Sequence, residues 1–431
     1  VRADVPFGEA TRTWARVAAQ SFGGPAGQIA VLHRVVVDEK GWLDEEQFLH
    51  ALGYCMLLPG PEAQQMATYI GWLLHGTRGG LVAGGLFVLP GFLAILGLSI
   101  AYATLGHIGV VAAIFFGLKP AVLAIVLEAV VRLRRRAIKG SIGIWFAAIA
   151  FIGLFFFGVP FPLLIAAAAI AGWFLVPASA TNGAMGRREI GATPSLRRLA
   201  STTSIWLAVW IIPVVIVAAV YGRETVLVTE ATFFSKVAVV TFGGAYSVLA
   251  YVGQQAVEVH GWLTAGEMLD GLGLAETTPG PLIMVVQFVG FLGAYRDPGM
   301  HHPIVAGTLA SIVTTWVTFV PCFLFIFAGA PYVEWVRGRP RLQAALNGIM
   351  AAVIGVVLNL AVWFALHVLF GDVRRADVGV LRLWVPRPAS LDPAAAAIAA
   401  AAIIAVFRLR LGMFYVLGGG AALGLLINGW G

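Results

Sequence analysis

The stretch "LLPGPEAQQ" at 57–65 sets two prolines, a glycine, a carboxylate and two carboxamides inside an otherwise apolar run. Pro59, Gly60 and Pro61 stop a helix, and the chain beyond them must start a new one whose first N–H groups have no partner within it. Such a start carries about half a positive charge and a set of exposed donors, which suits an anion. Gly23, Gly24 and Pro25 in "SFGGPAGQIAV" form a second break of the same chemistry, with Gln28 one turn later. Further breaks stand at Gly243-Gly244 and at Pro279-Gly280-Pro281, the latter preceded by Glu276, Thr277 and Thr278. The side chains of Gln64, Gln65, Thr277 and Thr278 can donate to oxyanion oxygens. Glu62 and Glu276 admit two readings, a carried proton or a structural cap at a helix start.

These breaks need a frame, and the composition names it. The 431 residues are 60% hydrophobic and 11% charged, with a mean hydropathy of +0.90, whereas a soluble domain carries about a quarter of its residues charged. Runs such as 81–104 and 308–328 exceed the roughly 18 apolar residues that a spanning helix needs. They lack the alternation of a membrane barrel. The sequence therefore predicts an all-α polytopic membrane protein. Non-helical backbone at membrane depth is tolerated only where protein buries it or it lines a cavity, so the breaks mark an internal site. The net charge of +7 comes from arginines in short loops and does not point to nucleic acid. Two cysteines, Cys55 and Cys322, are too few for a thiolate cluster, and no metal or cofactor motif is present. The polar start, without the pattern of a cleaved leader, predicts that the first apolar helix is retained.

The chain reads as two copies of one plan. Gly41 to Gly261, Phe22 to Phe242 and Pro59 to Pro279 share an offset of 220 residues. After a short insertion the offset becomes 231, laying "GLKPAVLAIVLEA" over "GIMAAVIGVVLNL". Asp44 with Gln47 and Thr264 with Glu267 are matching capping boxes, each starting a helix that runs into a Pro-Gly-Pro break. Loop charge then gives orientation. In the first copy "RLRRRAIK" is basic, while "LGH" and "FFFGVPFP" carry no lysine or arginine; in the second copy their counterparts "EWVRGRPR" and "FRLRLGM" are the basic ones. By the positive-inside rule the copies lie in opposite orientations, an inverted-topology repeat of the kind found in secondary transporters. The expected organisation is a first repeat over 1–178, a basic cytoplasmic linker with an orientation-inverting helix over 179–224, and a second repeat over 225–431. About thirteen hydrophobic passes follow, with the segments at the breaks left as crossing or re-entrant. The N-terminus is expected in the cytoplasm and the C-terminus outside.

Three basic residues fall within apolar stretches. Arg16 and Lys236 each stand six residues before the Phe-Gly-Gly motif of their copy, and either face the site or snorkel to an interface. Lys119 lies mid-run and either faces the site or pairs with Glu128, itself a candidate for coupling.

These blocks resemble the chromate ion transporter (CHR) family in its long-chain, two-domain form. The stretch from "SFGGPAGQIAVLHRVVVDEKGWL" to "LLPGPEAQQMATYIGWLLHG" carries most of the likeness, with "TFGGAYSVLAYV", "AETTPGPLIMVVQFVGFLGAYR" and "GLKPAVLAIV". The resemblance implies a carrier of the bacterial inner membrane that exports chromate, confers chromate resistance and depends on the membrane potential or proton motive force. Sulfate is the natural competitor, protons are candidate coupling ions, and a homo-oligomer is compatible with it. Its motif positions here are Arg16, Gly23, Gly24, Pro25, Gln28, Pro59, Gly60, Pro61, Lys119, Lys236, Gly243, Gly244, Pro279, Gly280 and Pro281. The rival readings are a sulfate or other oxyanion carrier of the same fold, and a membrane-embedded oxyanion reductase, for which no cofactor fingerprint exists.

Overall fold

The computed structural model describes residues 5–106, 108–137, 141–176, 196–332 and 339–428. His107, Lys139, the linker through 195 and the loop at 333–338 lie outside the described residues. The first copy holds α1 (Phe7–Gln20), α2 (Gly24–His33), α3 (Glu45–Cys55), α4 (Glu62–Leu105), α5 (Gly109–Ala137), α6 (Ser141–Phe155) and α7 (Phe161–Leu175). Helix α8 (Leu196–Tyr221) follows. The second copy holds α9 (Val226–Val240), α10 (Ala245–Gln254), α11 (Ala265–Thr277), α12 (Val285–Arg296), α13 (Pro303–Gly329), α14 (Pro340–Leu369), α15 (Pro393–Phe407) and α16 (Met413–Asn428). Both expected capping boxes are formed, at Asp44 and at Thr264. Helices α2 and α10 each continue into one π-helical turn, at Arg34–Glu39 and Gln255–Val259. Among the described residues, five helices are long and apolar enough to cross a membrane.

One feature departs from the sequence reading. The all-helical expectation omits a β-hairpin, β1 (Val373–Val378) paired antiparallel with β2 (Leu381–Pro386). Its turn at Gly379 has φ +63°, and its β-branched residues suit strands outside hydrocarbon. The 44 residues of α4 are not one rod. His75 and Gly76 leave helical geometry, and the chain folds back so tightly that a Cβ on Gly71 would lie 2.5 Å from the Gly79 carbonyl oxygen. The arm after this turn, 77–105, is the true long span.

The copies exchange helices. Helix α5 packs on α15 and α16 of the other copy, and its counterpart α14 packs on α6 and α7. The closest points are glycines. A Cβ on Gly117 would fall 1.9 Å from the Gly420 carbonyl oxygen, and one on Gly348 would fall 2.6 Å from that of Ala168. Small residues let helix backbones approach this closely in a bilayer, where packing rather than water exclusion drives association. Because backbone cannot yield as a side chain can, Gly117→Ala and Gly348→Ala should each cost about 1–3 kcal/mol of overpacking. The expected readout is a lowered melting temperature of the purified protein; unchanged melting in both would show that the exchange contacts carry no stability.

Loops of the two halves also meet. Arg132, Arg135 and Arg410 line one cavity, joining the basic end of α5 to the basic α15–α16 loop. The Arg382 N–H donates to the Phe156 carbonyl at 2.6 Å, joining the β-hairpin to the uncharged α6–α7 loop. Arg341, at the start of α14, donates to the Trp173 carbonyl near the end of α7 at 3.0 Å. Helix α8 has no buried residue and lies outside the bundle, its Trp206 ring stacked 5.6 Å from Phe323.

Candidate functional site

In each copy the first four helical segments form two hairpins whose open ends gather together. Lys40 pairs with Glu9 at 2.7 Å, the His75 ring meets the Val5 carbonyl at 2.7 Å, and Arg16 pairs with Glu39. In the second copy Arg296 donates to the Trp262 carbonyl at 2.8 Å and to Glu267 at 2.5 Å. The hairpin tips are the Phe-Gly-Gly and Pro-Gly-Pro breaks, and the tips of one copy meet those of the other. The Gly60 N–H donates to the Thr241 carbonyl at 2.7 Å, and the Gly280 N–H donates to the Ser21 carbonyl at 2.9 Å. Gln28 adds a side-chain bond to the Gly280 carbonyl at 2.6 Å.

Long helices buttress the tips from behind. Gly91 of the α4 arm lies against Gly280, and Cys322 of α13, its counterpart at the offset of 231, lies against Gly60. The arm starts beside the open ends of its own copy, passes the tip of the other, and reaches its far end, where the Tyr102 hydroxyl donates to Asp270 at 2.8 Å. The φ values of Gly23, Gly24, Gly60, Gly243, Gly244 and Gly280 lie between +66° and +127°, which only glycine adopts without strain.

Both Phe-Gly-Gly breaks line one small cavity of about 60 Å³, with Pro25, Glu62, Arg132, Gly243, Gly244 and Tyr246 on its walls. At about 15 Å³ per water-sized group this has room for roughly four. Two helix N-termini, those of α2 and α10, open at it. Each is met by a carboxylate from the opposite copy: Glu276 lies 3.5 Å from where a Cβ on Gly24 would be, and Glu62 lies 3.2 Å from the same position on Gly244. Glu276 is buried, and its Oε1 accepts from the Tyr246 hydroxyl while its Oε2 has no hydrogen-bond partner. The carboxylates therefore sit where an anion would bind, at helix starts with a positive end.

The other expected residues divide. Gln64 and Gln65 are fully buried beside the first tip, each with an oxygen lacking a partner, and Gln65 donates to the Pro59 carbonyl at 2.7 Å. The hydroxyls of Thr277 and Thr278 turn back to the Leu274 and Ala275 carbonyls of their own helix. Pro59, Pro61, Pro279 and Pro281 shape the tips. Arg16 is surface-exposed with Glu39, and Lys236 is exposed on α9, so neither is brought to the tips. Lys119 pairs with Asp270 at 3.3 Å rather than with Glu128, which pairs with Arg132 at 2.5 Å one turn along. Three residues missed in the sequence belong to this region: Tyr246, Asp270 and Arg132. Asp270 had a signal, being an acid within an apolar helical run; Tyr246 and Arg132 had none.

The family model described as chromate transporter matches residues 8–173 and 228–425. The chain belongs to that family. It is a transport protein and not an enzyme, and its apolar helices make it a multi-pass membrane protein. The "Chromate transport protein" of Pseudomonas aeruginosa is 32% identical over 341 residues, covering 78% of this chain and 76% of its own. The protein of the same description from Cupriavidus metallidurans is 26% identical over 353 residues, covering 81% and 80%. The "Uncharacterized transporter YwrB" of Bacillus subtilis is 34% identical over 152 residues, which make 77% of that chain and 35% of this one. No solved structure matches. Among the described residues, no group of three or more histidine, cysteine or acidic side chains could hold a metal ion.

Proposed function

We propose that this protein is a secondary transporter that carries chromate out of a bacterial cell across the inner membrane and so confers chromate resistance. The observation that carries the reading is the meeting of the two Phe-Gly-Gly breaks at one small cavity, with the N-termini of α2 and α10 at its wall and the tip-to-tip bonds beside it. A tetrahedral oxyanion matches both its size and its field. Relatives described as chromate transport proteins support chromate as the ion. Backbone dipoles read charge and shape, so sulfate, a dianion of the same geometry, competes for the site.

The architecture under this reading is an inverted repeat, with the units 1–178 and 225–431 joined through 179–224. Its supports are the paired tip contacts, the exchanged helices and the half-length relative. The hairpins at the breaks are re-entrant, because their two ends gather at one face; the N-terminus is then cytoplasmic and the C-terminus outside. The two ends of the α4 arm reach different sets of hairpin ends, as two copies of opposite orientation require.

Energetics favour export. Each charge crossing the membrane is worth about 2.3 kcal/mol per 100 mV, so a dianion leaving an inside-negative cell gains about twice that, on the order of a thousandfold in concentration ratio. The potential component of the proton motive force is sufficient. Glu62 and Glu276 are the groups at which protons would link to the cycle. The test is chromate flux in proteoliposomes under an imposed potential, with and without a pH gradient and excess sulfate. Flux that follows the potential and falls with sulfate is expected; no chromate movement under any condition would sink the reading.

A further inference from the structure

A second, larger cavity of about 470 Å³ opens at the end of α5. Its walls carry Glu128, Arg132 and Arg135 from α5 and Arg410 from the loop between α15 and α16. The sequence explains these arginines only as orientation signals, yet the fold draws them from both copies to one concave surface. Three guanidinium groups face one carboxylate there. Arg132 also lines the small cavity at the Phe-Gly-Gly breaks, so one side chain borders both spaces. Its pairing with Glu128 at 2.5 Å is partly exposed on both sides, 41% and 38%. Such a pair is worth little in stability and exchanges readily. Arg410 has φ +53° and is the one described non-glycine residue in the left-handed region. That conformation costs a long side chain energy and marks places where the surroundings hold it for a reason.

We propose that this cavity is an oxyanion-accepting vestibule on the basic face of the protein, from which Arg132 hands a divalent oxyanion to the site between the tips. Arg135 and Arg410 draw the ion in, because a concave surface of one charge sign raises the local concentration of its counter-ion. Planar guanidinium groups suit tetrahedral oxyanions, offering paired donors. Glu128 holds Arg132 when no ion is present and yields it to the incoming dianion. The proposal rests on the transport function above and adds a second station to it.

The test is the initial rate of chromate flux against concentration in vesicles of phosphatidylcholine alone. Arg135→Gln and Arg410→Asn, the latter chosen because asparagine tolerates the left-handed region, should each raise KM about fivefold or more at low salt. Maximal rate should stay near that of the wild type. The shift should vanish near 1 M salt, where the screening length falls to about 3 Å. Arg410→Lys should restore the wild-type KM, and Glu128→Gln should lower it. A wild-type protein that moves no chromate overturns the transport reading itself. Normal wild-type transport with unchanged KM and salt dependence in both arginine variants overturns the vestibule alone. A KM shift seen only when anionic lipid is added also overturns it, since the arginines would then hold a lipid headgroup.

Discussion

Gly280→Ala is expected to lower chromate flux about a hundredfold while leaving a folded, monodisperse protein. Two causes act together. The backbone at Gly280 has φ +100°, a region that costs a residue with a Cβ about 1–3 kcal/mol. The added Cβ would also lie 3.0 Å from Gly91 Cα and 3.3 Å from Gly91 N. Those are backbone atoms of a long packed helix, which cannot swing aside. The tip must shift instead, and with it go the Gly280–Ser21 bond and the Gln28 bond that join the copies. A cost near 3 kcal/mol lowers the population of the competent tip geometry by about a hundredfold. Gly91→Ala offers an independent check, since its Cβ would meet the Pro279 carbonyl oxygen at 2.8 Å without altering the loop's own backbone. The equivalent change in the other copy, Gly60→Ala, should be milder in its steric part, because its Cβ would meet the Gln65 amide and the Cys322 sulfur, both side-chain ends. Adding Cys322→Ala to Gly60→Ala should therefore recover part of the flux. Flux per folded protein, with size-exclusion as the check on folding, reads all four variants. Near-normal transport by Gly280→Ala and Gly91→Ala would show that the tips need not meet.

Much of this frame was written in local sequence. The breaks, the repeat offset and the capping boxes at Asp44 and Thr264 are short-range patterns, fixed by backbone rules that need no tertiary knowledge. What joins the copies was not legible. That Gly60 answers Thr241 and Gly280 answers Ser21 depends on how two units dock, and a repeat offset pairs equivalents with one another rather than with their contacts. The same limit applies to charge. The matched depths of Arg16 and Lys236 gave a positional argument, yet a side chain's direction around its helix is set by packing, and Arg16 finds Glu39 on its own hairpin. Lys119 finds Asp270 from a helix of the other copy, again a contact no spacing announces. Helix α4 shows the opposite case: the apolar run at 81–104 lies wholly beyond the turn at His75 and Gly76, so the long arm was legible although the fold-back before it was not.

The carboxylates at the tips carry the second large expectation, that Glu276→Gln separates net efflux from exchange. In the structure Glu276 lies against the start of α2 and Glu62 against the start of α10, each reaching across to the opposite copy. An oxyanion entering the cavity must share those helix starts with two resident carboxylates, with Arg132 and Glu128 also in the local field. Substrate and carboxylate then compete, and a proton that neutralises the carboxylate favours the substrate. By linkage, chromate affinity should rise as pH falls, by up to roughly tenfold per pH unit if a single proton is linked. Glutamine keeps the shape and a hydrogen bond to Tyr246 but cannot ionise, so its chromate affinity should be tighter at neutral pH and nearly independent of pH. The empty carrier is the other side of the argument. With its carboxylates ionised, an unloaded site still presents negative charge to its positive helix ends and can reorient without a bound ion. In Glu276→Gln that resident anion is missing, so net efflux into chromate-free medium should slow at least tenfold while chromate–chromate exchange persists. Glu62, which is only partly buried, should show the same effects more weakly. Equal net and exchange rates in Glu276→Gln, together with a wild-type pH dependence, would reduce both carboxylates to structural caps of the tips.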